Sequence, residues 1–310
     1  MVNGELCMKK KICLCSDDPT DWFGKVRELF EKKDCEFKAY PEISLEEADK
    51  IFYFNMPSEV KYPEKSYVWI AEPPVIFKRN FKKDKFKFFK KIFTWDKTLI
   101  DGKKFIKLNY PQNFQNIDFD LSKKEKLLCL VAKNKSSNRE NELFSERAKA
   151  IIWFEKFAAN DFDLYGKDWD LGISLNLGFI KYGKYFPKCY RGCVEKKDKV
   201  VRKHKFSIAY ENWYNDRGYI TEKIFDCFNA SNVPIYLGEK NIEKVIPKDC
   251  FIDKRDFKNY KSLYEYIKNM DDSTYIEYLK NIDKYIKSDN AKEFTTEVWA
   301  NTIVNEILSE

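Results

Sequence analysis

The chain contains a single histidine, His204, among its 310 residues, and this scarcity limits the chemistry that it can carry. A Ser/His/Asp triad would have to be built on that one residue. Ligands for zinc are also scarce. Cys13 and Cys15 alternate along an expected strand. The pair Cys189 and Cys193 has no second pair beside it. Both classes of site are therefore disfavoured.

Long apolar runs are missing too. No stretch approaches the roughly eighteen consecutive apolar residues that a membrane-spanning helix needs. Met1–Lys11 has no apolar core of the kind found in a secretory signal. Nine cysteines without such a signal indicate reduced thiols, so we expect a cytoplasmic protein. Internal repeats and low-complexity tracts are also absent.

The chain has more basic than acidic residues, and the excess is concentrated in one segment. The formal net charge is +7 and the pI is near 8.7. Between Phe77 and Lys91 the basic residues are Lys78, Arg79, Lys82, Lys83, Lys85, Lys87, Lys90 and Lys91, and they interleave with Phe81, Phe86, Phe88 and Phe89. Such a run can attract an anionic membrane surface or nucleic acid. It can also form a helix with a buried aromatic face and a solvated lysine face, and both interpretations stay open.

Strand-like and helix-like segments alternate through the first third of the chain. Strands are expected at Lys10–Cys15, Lys50–Phe54, Tyr67–Ala71 and Lys91–Thr94, with a helix at Asp21–Lys33. The alternation predicts an α/β fold, in which helices cover both faces of a parallel sheet. A polar, asparagine-rich connection follows Tyr110 and ends near Ser122. We therefore predict two domains, 1–122 and 123–310.

The second domain repeats this pattern and ends in helices. We expect a strand at Glu125–Ala132, a helix from Asn138 to about Ala159 and a strand around Leu164. Three helices are expected at the C-terminus, Lys258–Met270, Ser273–Ser288 and Ala291–Leu308. The last helix carries an apolar stripe that could dock on the first domain, namely Phe294, Val298, Ile303 and Ile307.

The most informative pattern begins at a short apolar run, Phe206–Tyr210, which predicts a buried strand ending at Glu211 and Asn212. After a loop, Thr221 can cap a helix through its hydroxyl group. The apolar positions of that helix share one face, and they are Ile224, Phe225, Cys227 and Phe228. Glu222 and Lys223 then occupy its first turn.

This arrangement suits a nucleotide diphosphate. The first turn of a helix presents unpaired backbone amides and the positive end of the helix dipole, which together favour phosphate groups. Lys223 adds a full positive charge, and Glu222 can accept hydrogen bonds from a ribose diol. Asn212 and Tyr219 can fix the rest of the ligand from the adjacent loop. An ordinary capped helix is the alternative.

The whole pattern is more specific than its parts. Its segments are Glu211-Asn212, Tyr219–Lys223, Val233–Gly238, Phe251-Ile252 and Asp256-Phe257. Together they resemble the signature of the inverting alpha-1,3/4-fucosyltransferases, glycosyltransferase family 10, in their bacterial form. Upstream, Val131–Arg139 resembles the family segment that ends in a donor-contacting arginine. Tyr165-Gly166-Lys167 resembles a strand end of the same domain, and we take Tyr165 and Gly166 as architectural.

The resemblance implies a GT-B architecture, in which two Rossmann-like, doubly wound domains face a cleft. The first domain, 1–122, would bind the acceptor, and the second, 123–310, would bind the GDP-sugar donor and carry the packing helices. The residues implied in donor binding are Arg139, Glu211, Asn212, Tyr219, Thr221, Glu222 and Lys223.

The resemblance also implies a catalytic base, Glu72. This residue follows the expected strand Tyr67–Ala71 and precedes Pro73 and Pro74, which forbid further strand pairing. The family carries a Glu-Ser-Pro or similar triplet, so Pro73 departs from the pattern where serine is common. A solvated glutamate before a proline turn is the alternative.

No metal is expected in the site, because two cations, Arg139 and Lys223, can neutralise the leaving diphosphate. Asp161-x-Asp163 and Asp168-x-Asp170 match a pattern that binds manganese in other glycosyltransferases. In a chain this rich in acidic residues we take both triplets as chance occurrences, since ion binding needs converging carboxylates.

The implied donor is GDP-fucose, and the implied acceptor is an N-acetylglucosamine or glucose residue of a galactose-containing oligosaccharide or lipid-linked glycan. Nucleic acid is not an expected partner. Eukaryotic relatives carry a Golgi anchor that this sequence does not show, which indicates a bacterial-type enzyme or a chain that has lost its anchor. We expect a cytoplasmic protein that associates peripherally with the inner membrane face. Two alternatives stay open: transfer from a different GDP-sugar in surface polysaccharide synthesis, and a non-catalytic glycan- or lipid-binding module.

Overall fold

The structure, a computed structural model, describes residues 9–16, 22–177 and 180–309, with backbone only for 174–177 and 180–183. The chain forms two compact units, Met1–Pro111 with Glu293–Glu310, and Gln112–Lys292. The division falls before the predicted boundary at Ser122. The last helix belongs to the first unit, whereas the predicted second domain, 123–310, had included it.

The first unit is built on a six-stranded parallel sheet. Its strands are β1 (Lys10–Cys15), β2 (Cys35–Ala39), β3 (Lys50–Phe54), β4 (Ser66–Ile70), β5 (Lys91–Thr94) and β6 (Phe105–Lys107). They lie in the order β2-β1-β3-β4-β5-β6. All five residues of β4 are buried, as expected for a central strand covered on both faces. The predicted strands are confirmed, while β2 and β6 were not predicted.

Two helices from opposite ends of the sequence pack together in this unit, α1 (Gly24–Glu31) and the last helix of the chain (Thr296–Leu308). The predicted start of α1, Asp21, lies outside the described residues. The Trp299 ring centroid is 5.5 Å from that of Phe23 and 5.2 Å from that of Trp69. Of the predicted stripe, Ile303 and Ile307 are buried on this helix, Phe294 is buried just before it, and Val298 is 41% exposed. Trp299 is buried instead, so the apolar face is rotated by about one position.

The basic segment between Phe77 and Lys91 does not form one helix. It folds as two short 3₁₀-helices, Lys78–Phe81 and Lys83–Phe88, separated by Lys82 in an extended conformation. Its aromatic side chains do contribute to the core, and Phe86 and Phe89 are buried. A regular helix is prevented because Asn80, which is fully buried, is held by hydrogen bonds described below.

The second unit contains a five-stranded parallel sheet in the order β13-β12-β11-β7-β8. Its strands are β7 (Lys126–Val131), β8 (Phe162–Tyr165), β11 (His204–Asn215), β12 (Val233–Glu239) and β13 (Ile252–Asp253). An antiparallel hairpin lies between β8 and β11 in the sequence, and its strands are β9 (Ile173–Leu177) and β10 (Ile180–Tyr185).

The helices of the second unit alternate with these strands and then follow them. They are α2 (Phe144–Phe157), α3 (Lys197–Val201), α4 (Glu222–Asn229), α5 (Tyr260–Lys268), α6 (Asp272–Ile286) and α7 (Asp289–Lys292), so that the last helix of the chain is α8. The α2 helix starts later than the predicted Asn138. Glu142 is the cause, because its Oε2 accepts hydrogen bonds from the backbone N of Phe144 and Ser145 at 2.7 and 3.0 Å.

The β11 strand is longer than the predicted Phe206–Tyr210. Its regular pairing with β12 nevertheless stops at Tyr210 and resumes only at Asn215. Glu211 and Asn212 therefore lie within a strand, at an interruption of its ladder, rather than beyond its end. The prediction failed there because a carboxylate and an amide indicate a strand end unless buried partners satisfy them.

Gly166 directly follows β8, and its backbone conformation requires glycine. Its φ is +123°, and a Cβ there would lie 1.9 Å from the carbonyl O of Ala132. Only glycine fits, in agreement with its predicted architectural role. Among the residues that the structure describes, no helix combines the length and apolarity needed to cross a bilayer.

Candidate active site

The signature residues lie at the carboxyl edge of the second sheet, where the strand order reverses. β7 pairs with β8 on one side and with β11 on the other. In open parallel sheets, such a reversal leaves a crevice beyond the strand ends, and ligands bind there. Because α2 follows β7 and α4 follows β11, the N-termini of both helices border this point.

Thr221 caps α4 as predicted. Its Oγ1 accepts a hydrogen bond from the backbone N of Lys223 at 3.5 Å and another from Lys223 Nζ at 2.9 Å. The predicted apolar face of the helix is buried, namely Ile224, Phe225, Cys227 and Phe228. The cap therefore fixes both the helix start and the ammonium group beside it.

Glu211 is fully buried against the first turn of α4. Its Oε1 and Oε2 accept hydrogen bonds from the N and Oγ1 of Thr221, both at 2.8 Å. Lys223 Nζ lies 3.3 Å from Oε2. Burial raises the pKa of Glu211, and the charge of Lys223 opposes that rise. Glu211 thus positions Thr221 and Lys223, and its contact with a donor stays a prediction.

Lys223 and Glu222 form a charged pair on the helix start, with Nζ and Oε1 3.3 Å apart. Burial lowers the pKa of Lys223, but the carboxylates of Glu222 and Glu211 outweigh this effect and raise it overall. Burial raises the pKa of Glu222, but Lys223 and Lys197 bring it well below its ordinary value. Both groups are therefore ionised at neutral pH. A charged Lys223 suits binding of a diphosphate, and a charged Glu222 suits acceptance of hydrogen bonds from ribose hydroxyl groups.

Arg147, which was not predicted, lies in the same cluster. Its Nη2 donates to the carbonyl O of Tyr210 at 2.6 Å and to Asn212 Oδ1 at 3.0 Å. Burial lowers its pKa, and the charge of Glu211 opposes this shift. A buried guanidinium at the crevice is a second cation beside Lys223. Little in the sequence marks this residue, because an arginine within a helix is usually exposed.

Asn212 and Tyr219 lie together, with Asn212 Nδ2 3.5 Å from Tyr219 Oη. The backbone N of Tyr219 donates to Asn215 Oδ1 at 3.1 Å. Leu143, just before α2, donates through its N to the carbonyl O of Asn212 at 3.1 Å. The backbone of Asn212 is therefore tied to the start of α2 and that of Tyr219 to the end of β11, and the contact of either side chain with a donor stays a prediction.

The glycine that ends the Val233–Gly238 segment makes room for Glu211. A Cβ on Gly238 would lie 2.5 Å from Glu211 Cγ and 2.6 Å from Tyr236 Oη. Neither buried neighbour can retreat into solvent, so this position requires glycine.

Arg139 lies on the exposed loop between β7 and α2. This loop pairs with the far end of β11, where the N of Tyr214 donates to the carbonyl O of Asn141 at 2.7 Å. Residues 134–138 of the loop line a cavity of about 560 Å³, together with Trp169. The loop thus borders the crevice, and the predicted phosphate contact of Arg139 stays a prediction.

Glu72, in the first unit, is half-buried just after β4. Asn55 Oδ1 accepts hydrogen bonds from the backbone N of Ala71 at 3.1 Å and of Glu72 at 3.0 Å. Asn80 Nδ2 donates to the carbonyl O of Glu72 at 2.8 Å and to Asn55 Oδ1 at 2.7 Å. The backbone at Glu72 is therefore gripped by two buried amides, unlike that of a solvated turn.

Further hydrogen bonds hold the preceding residue. The carbonyl O of Ala71 accepts from Trp95 Nε1 at 2.7 Å and from Tyr110 Oη at 2.8 Å. Asn55 itself has a φ of 63°, a left-handed conformation that asparagine tolerates. Sequence reasoning missed Asn55 and Asn80, since nothing in their local sequence distinguishes them from loop residues.

Three of the four aspartates in the two manganese-like triplets bind other side chains. Asp161 Oδ2 accepts from Tyr264 Oη at 2.6 Å and from Lys268 Nζ at 2.7 Å. Asp163 pairs with Arg191 Nε at 2.7 Å. Asp168 Oδ2 lies 3.1 Å from Lys133 Nζ. No group of three or more His, Cys, Asp or Glu side chains suited to a metal ion occurs within residues 9–16, 22–177 and 180–309.

Residues 121–303, more than half of the chain, match the family model described as Glycosyltransferase family 10 (fucosyltransferase) C-term. The chain belongs to glycosyltransferase family 10. Its Glu211-Asn212 pair, the Thr221 cap and Gly238 all lie within the matched region.

Two relatives are similar in sequence to parts of this family 10 chain. It is 35% identical to the alpha-(1,3)-fucosyltransferase FucT of Helicobacter pylori over 75 residues, 24% of this chain and 16% of that protein. It is 29% identical to the 4-galactosyl-N-acetylglucosaminide 3-alpha-L-fucosyltransferase 9 of Mus musculus over 157 residues, 49% of this chain and 35% of that protein. The matches thus span 35% or less of these relatives' length.

The solved structure is an alpha1,3-fucosyltransferase with GDP-fucose. It superposes on this family 10 chain with a TM-score of 0.60 at 15% identity, covering 97% of this chain and 91% of the other. At that identity the likeness concerns the fold alone. It confirms the predicted α/β class and GT-B architecture, with parallel sheets and C-terminal helices.

Proposed function

We propose that this chain is an inverting alpha-1,3- or alpha-1,4-fucosyltransferase. It moves L-fucose from GDP-fucose to an N-acetylglucosamine or glucose residue of a galactose-containing glycan. The observation that carries the proposal is the fixed ammonium of Lys223 at the start of α4, held by Glu211 and Thr221 at the sheet's crevice. The family and its fucosyltransferase relatives supply the donor class.

The donor site is proposed to neutralise the diphosphate with two cations. Lys223 lies at the positive end of α4, where the helix dipole favours phosphate. Arg147 supplies the second charge from the start of α2, or Arg139 does so from the loop before it. Glu222, ionised and 37% exposed, is proposed to accept hydrogen bonds from the ribose diol. With two cations available, no divalent ion is assigned a role.

The proposed base is Glu72. Its carboxylate takes the proton from the acceptor hydroxyl as that oxygen attacks the anomeric carbon of fucose. The bond between this carbon and the β-phosphate oxygen breaks on the opposite face, GDP leaves with the electron pair, and the configuration inverts. A positioned base contributes about two to four orders of magnitude in rate, and preorganised charge contributes a comparable amount.

Binding calorimetry in the presence of a metal chelator tests the donor site. GDP-fucose, GDP-mannose and UDP-galactose are titrated into the wild type, Lys223→Met and the exposed control Lys258→Met. We expect GDP-fucose to bind tightest, with affinity reduced about tenfold to a hundredfold in Lys223→Met alone, because a charge-assisted contact is lost. Arg139→Ala and Arg147→Lys, compared in the same titration, identify the second cation.

Other outcomes would redirect the proposal. Equal affinity for both GDP-sugars would favour the second candidate, a transferase that uses another GDP-sugar, since the roles proposed above concern the diphosphate and the ribose rather than the hexose. No binding without a divalent ion would overturn the metal-independent site. If Glu72→Gln binds the donor and transfers fucose at an undiminished rate, Glu72 is not the base. Donor binding without transfer to any glycan by the wild type would favour a non-catalytic module.

We also propose that the protein works in the cytoplasm at a membrane surface. The cysteines that the structure describes are free thiols, which suits a reducing compartment.

A further inference from the structure

The positive charge of the molecule is concentrated in one segment. Residues 78–91 contain eight lysines and arginines and one aspartate, a net charge of +7. The whole chain has the same net charge of +7, so the remaining residues sum to zero. An electrostatic attraction to an anionic surface would therefore act through this segment.

Four lysines of the segment are exposed, namely Lys78, Lys82, Lys83 and Lys87. Within the described part of the chain, none of the four forms an ion pair. Elsewhere on the same surface, lysines have acidic partners, as in Lys25 with Glu28 at 3.1 Å and Lys107 with Glu293. The unpaired charges are thus available to an external partner.

The segment is held against the core of the first unit by three of its aromatic side chains, Phe81, Phe86 and Phe89. The Phe81 ring lies 6.1 Å from Trp95, and the Phe86 ring lies 5.3 Å from Phe105. Lys85 differs from its neighbours, since its Nζ donates to the backbone carbonyls of residues 57 and 58. The exposed lysines therefore project from a fixed surface, which lowers the entropic cost of binding.

One aromatic residue faces outward among these lysines. Phe88 is 36% exposed, and Lys87 Nζ lies 5.1 Å from the centre of its ring. An apolar ring beside exposed ammonium groups suits the headgroup region of a bilayer, where rings enter the interface and lysines meet lipid phosphates.

The same segment is linked directly to the proposed base. Asn80, between the lysines, donates to the carbonyl O of Glu72 at 2.8 Å. A surface that docks through Lys78, Lys82 and Lys83 would therefore hold Glu72 close to that surface. A glycan acceptor carried by a lipid would be presented at the same place.

We propose that residues 78–88 form a docking surface for an anionic lipid bilayer, and that the proposed fucosyl transfer uses acceptors linked to lipid there. The lipid part of the inference stands on the charge distribution, the exposed lysines and Phe88, and it does not depend on the proposed function. The acceptor part rests on the proposed function.

Vesicle cosedimentation tests the docking surface. The full chain is mixed with vesicles of phosphatidylcholine alone, or of equal parts phosphatidylcholine and phosphatidylglycerol, at low and at physiological salt. We expect binding to the anionic vesicles only, weakened by salt. Each lysine contributes about a fivefold factor, so K78A/K82A/K83A/K87A should reduce the partition coefficient by about two to three orders of magnitude.

A matched variant removes the same charge from dispersed exposed sites, K33A/K61A/K103A/K258A, and should retain most of the binding. Equal loss in both variants, or equal binding to neutral vesicles, would overturn the docking surface. Binding to duplex DNA without binding to anionic vesicles would overturn it in favour of nucleic acid.

Activity measurements separate this inference from the proposed function. Transfer to a soluble oligosaccharide should be the same in K78A/K82A/K83A/K87A and the wild type, whereas transfer to a vesicle-borne glycolipid should fall at least tenfold, in line with the loss of binding. An unchanged glycolipid rate would overturn the acceptor part. Failure of the proposed function would show instead as absent donor binding in both proteins.

Discussion

At the scale of single residues, the candidate site depends on a carboxylate that touches no solvent. Glu211 is stable in the interior because Thr221 supplies two hydrogen bonds and Lys223 supplies a charge. The sequence allowed the prediction that Thr221, Glu222 and Lys223 lie together, because capping and helical spacing are local. Arg147 could not be predicted, because its importance comes from a contact with Asn212, which is far away in the sequence.

Glu211→Gln tests this network while keeping the shape of the side chain. We expect GDP affinity to fall about tenfold and the free energy of unfolding to fall by about 1–3 kcal/mol, because the partly buried ammonium of Lys223 loses one of its counter-charges. Calorimetry and urea unfolding measure the two effects. The exposed control, Glu243→Gln, should change neither, and an unaltered GDP affinity in Glu211→Gln would contradict the positioning role.

Asn80→Ala tests the support of Glu72. The substitution removes hydrogen bonds to the Glu72 carbonyl and to Asn55, so the base should lose its fixed position. We expect kcat to fall by about one to two orders of magnitude, while the dissociation constant of GDP-fucose stays the same. The exposed Asn113→Ala is the control. A parallel loss of donor affinity would show a general structural effect instead.

At the scale of elements, strands were predicted best where they are apolar and buried, as in β1, β3 and β5. The β2 strand, Cys35–Ala39, was missed because it is only five residues long and carries two charged residues, as an edge strand can, although its alternating pattern suits a strand. The interruption in β11 was missed because it depends on the partners of Glu211. Helices begin where a side chain caps them. The predicted start of α4 at Thr221 was therefore correct, whereas α2 begins later than predicted because Glu142 accepts hydrogen bonds from its first amides.

Gly238→Ala tests the close approach of β12 to β11. The added methyl group would collide with Glu211 and Tyr236, so we expect a loss of about 1–3 kcal/mol in the free energy of unfolding and weaker GDP binding. In a Glu211→Ala background the same substitution should cost less, since one collision is gone. Additive costs in the double variant would contradict the contact with Glu211.

Asp161 ties β8 to α5, and its contribution should depend on pH. Burial raises its pKa, but Lys268 and Tyr264 outweigh this and lower it overall. A lowered folded-state pKa means that the stabilisation is complete above the unfolded pKa of about 3.9 and disappears as the pH falls through the folded value.

We therefore expect Asp161→Asn to lose about 1 kcal/mol of unfolding free energy at pH 7 and progressively less below pH of about 4. Urea unfolding across this range measures the difference. The exposed control, Asp170→Asn, should leave the free energy of unfolding unchanged across this pH range. A difference between wild type and Asp161→Asn that grows on acidification would contradict the assigned sign.

At the scale of the whole molecule, the alternation of elements predicted the α/β class. It did not predict which segments of the chain form each of the two units. Helical spacing identifies α8, whereas its membership of the first unit depends on tertiary packing around Trp299. The boundary near Ser122 was inferred from polar composition, which marks a connection but does not show which unit it packs against.

Trp299→Ala tests the independence of the two units. We expect the first unit to lose about 3–5 kcal/mol of stability, because a large buried ring contacting Phe23 and Trp69 is removed. GDP affinity, which depends on the second unit, should stay within twofold of the wild type at low temperature. Thermal unfolding measures the stability and calorimetry measures the GDP affinity. A loss of GDP affinity in proportion to the loss of stability would contradict the independence of the two units.

The return of α8 to the first unit has a consequence for synthesis on the ribosome. The sequence of the second unit is continuous, Gln112–Lys292, whereas the first unit needs both Met1–Pro111 and Glu293–Glu310. Domains usually mature in the order in which they are made, N-terminal first. Here the order is reversed, because α8 is made last. The first sheet therefore cannot cover its α8-facing side until the whole second unit has left the ribosomal exit tunnel.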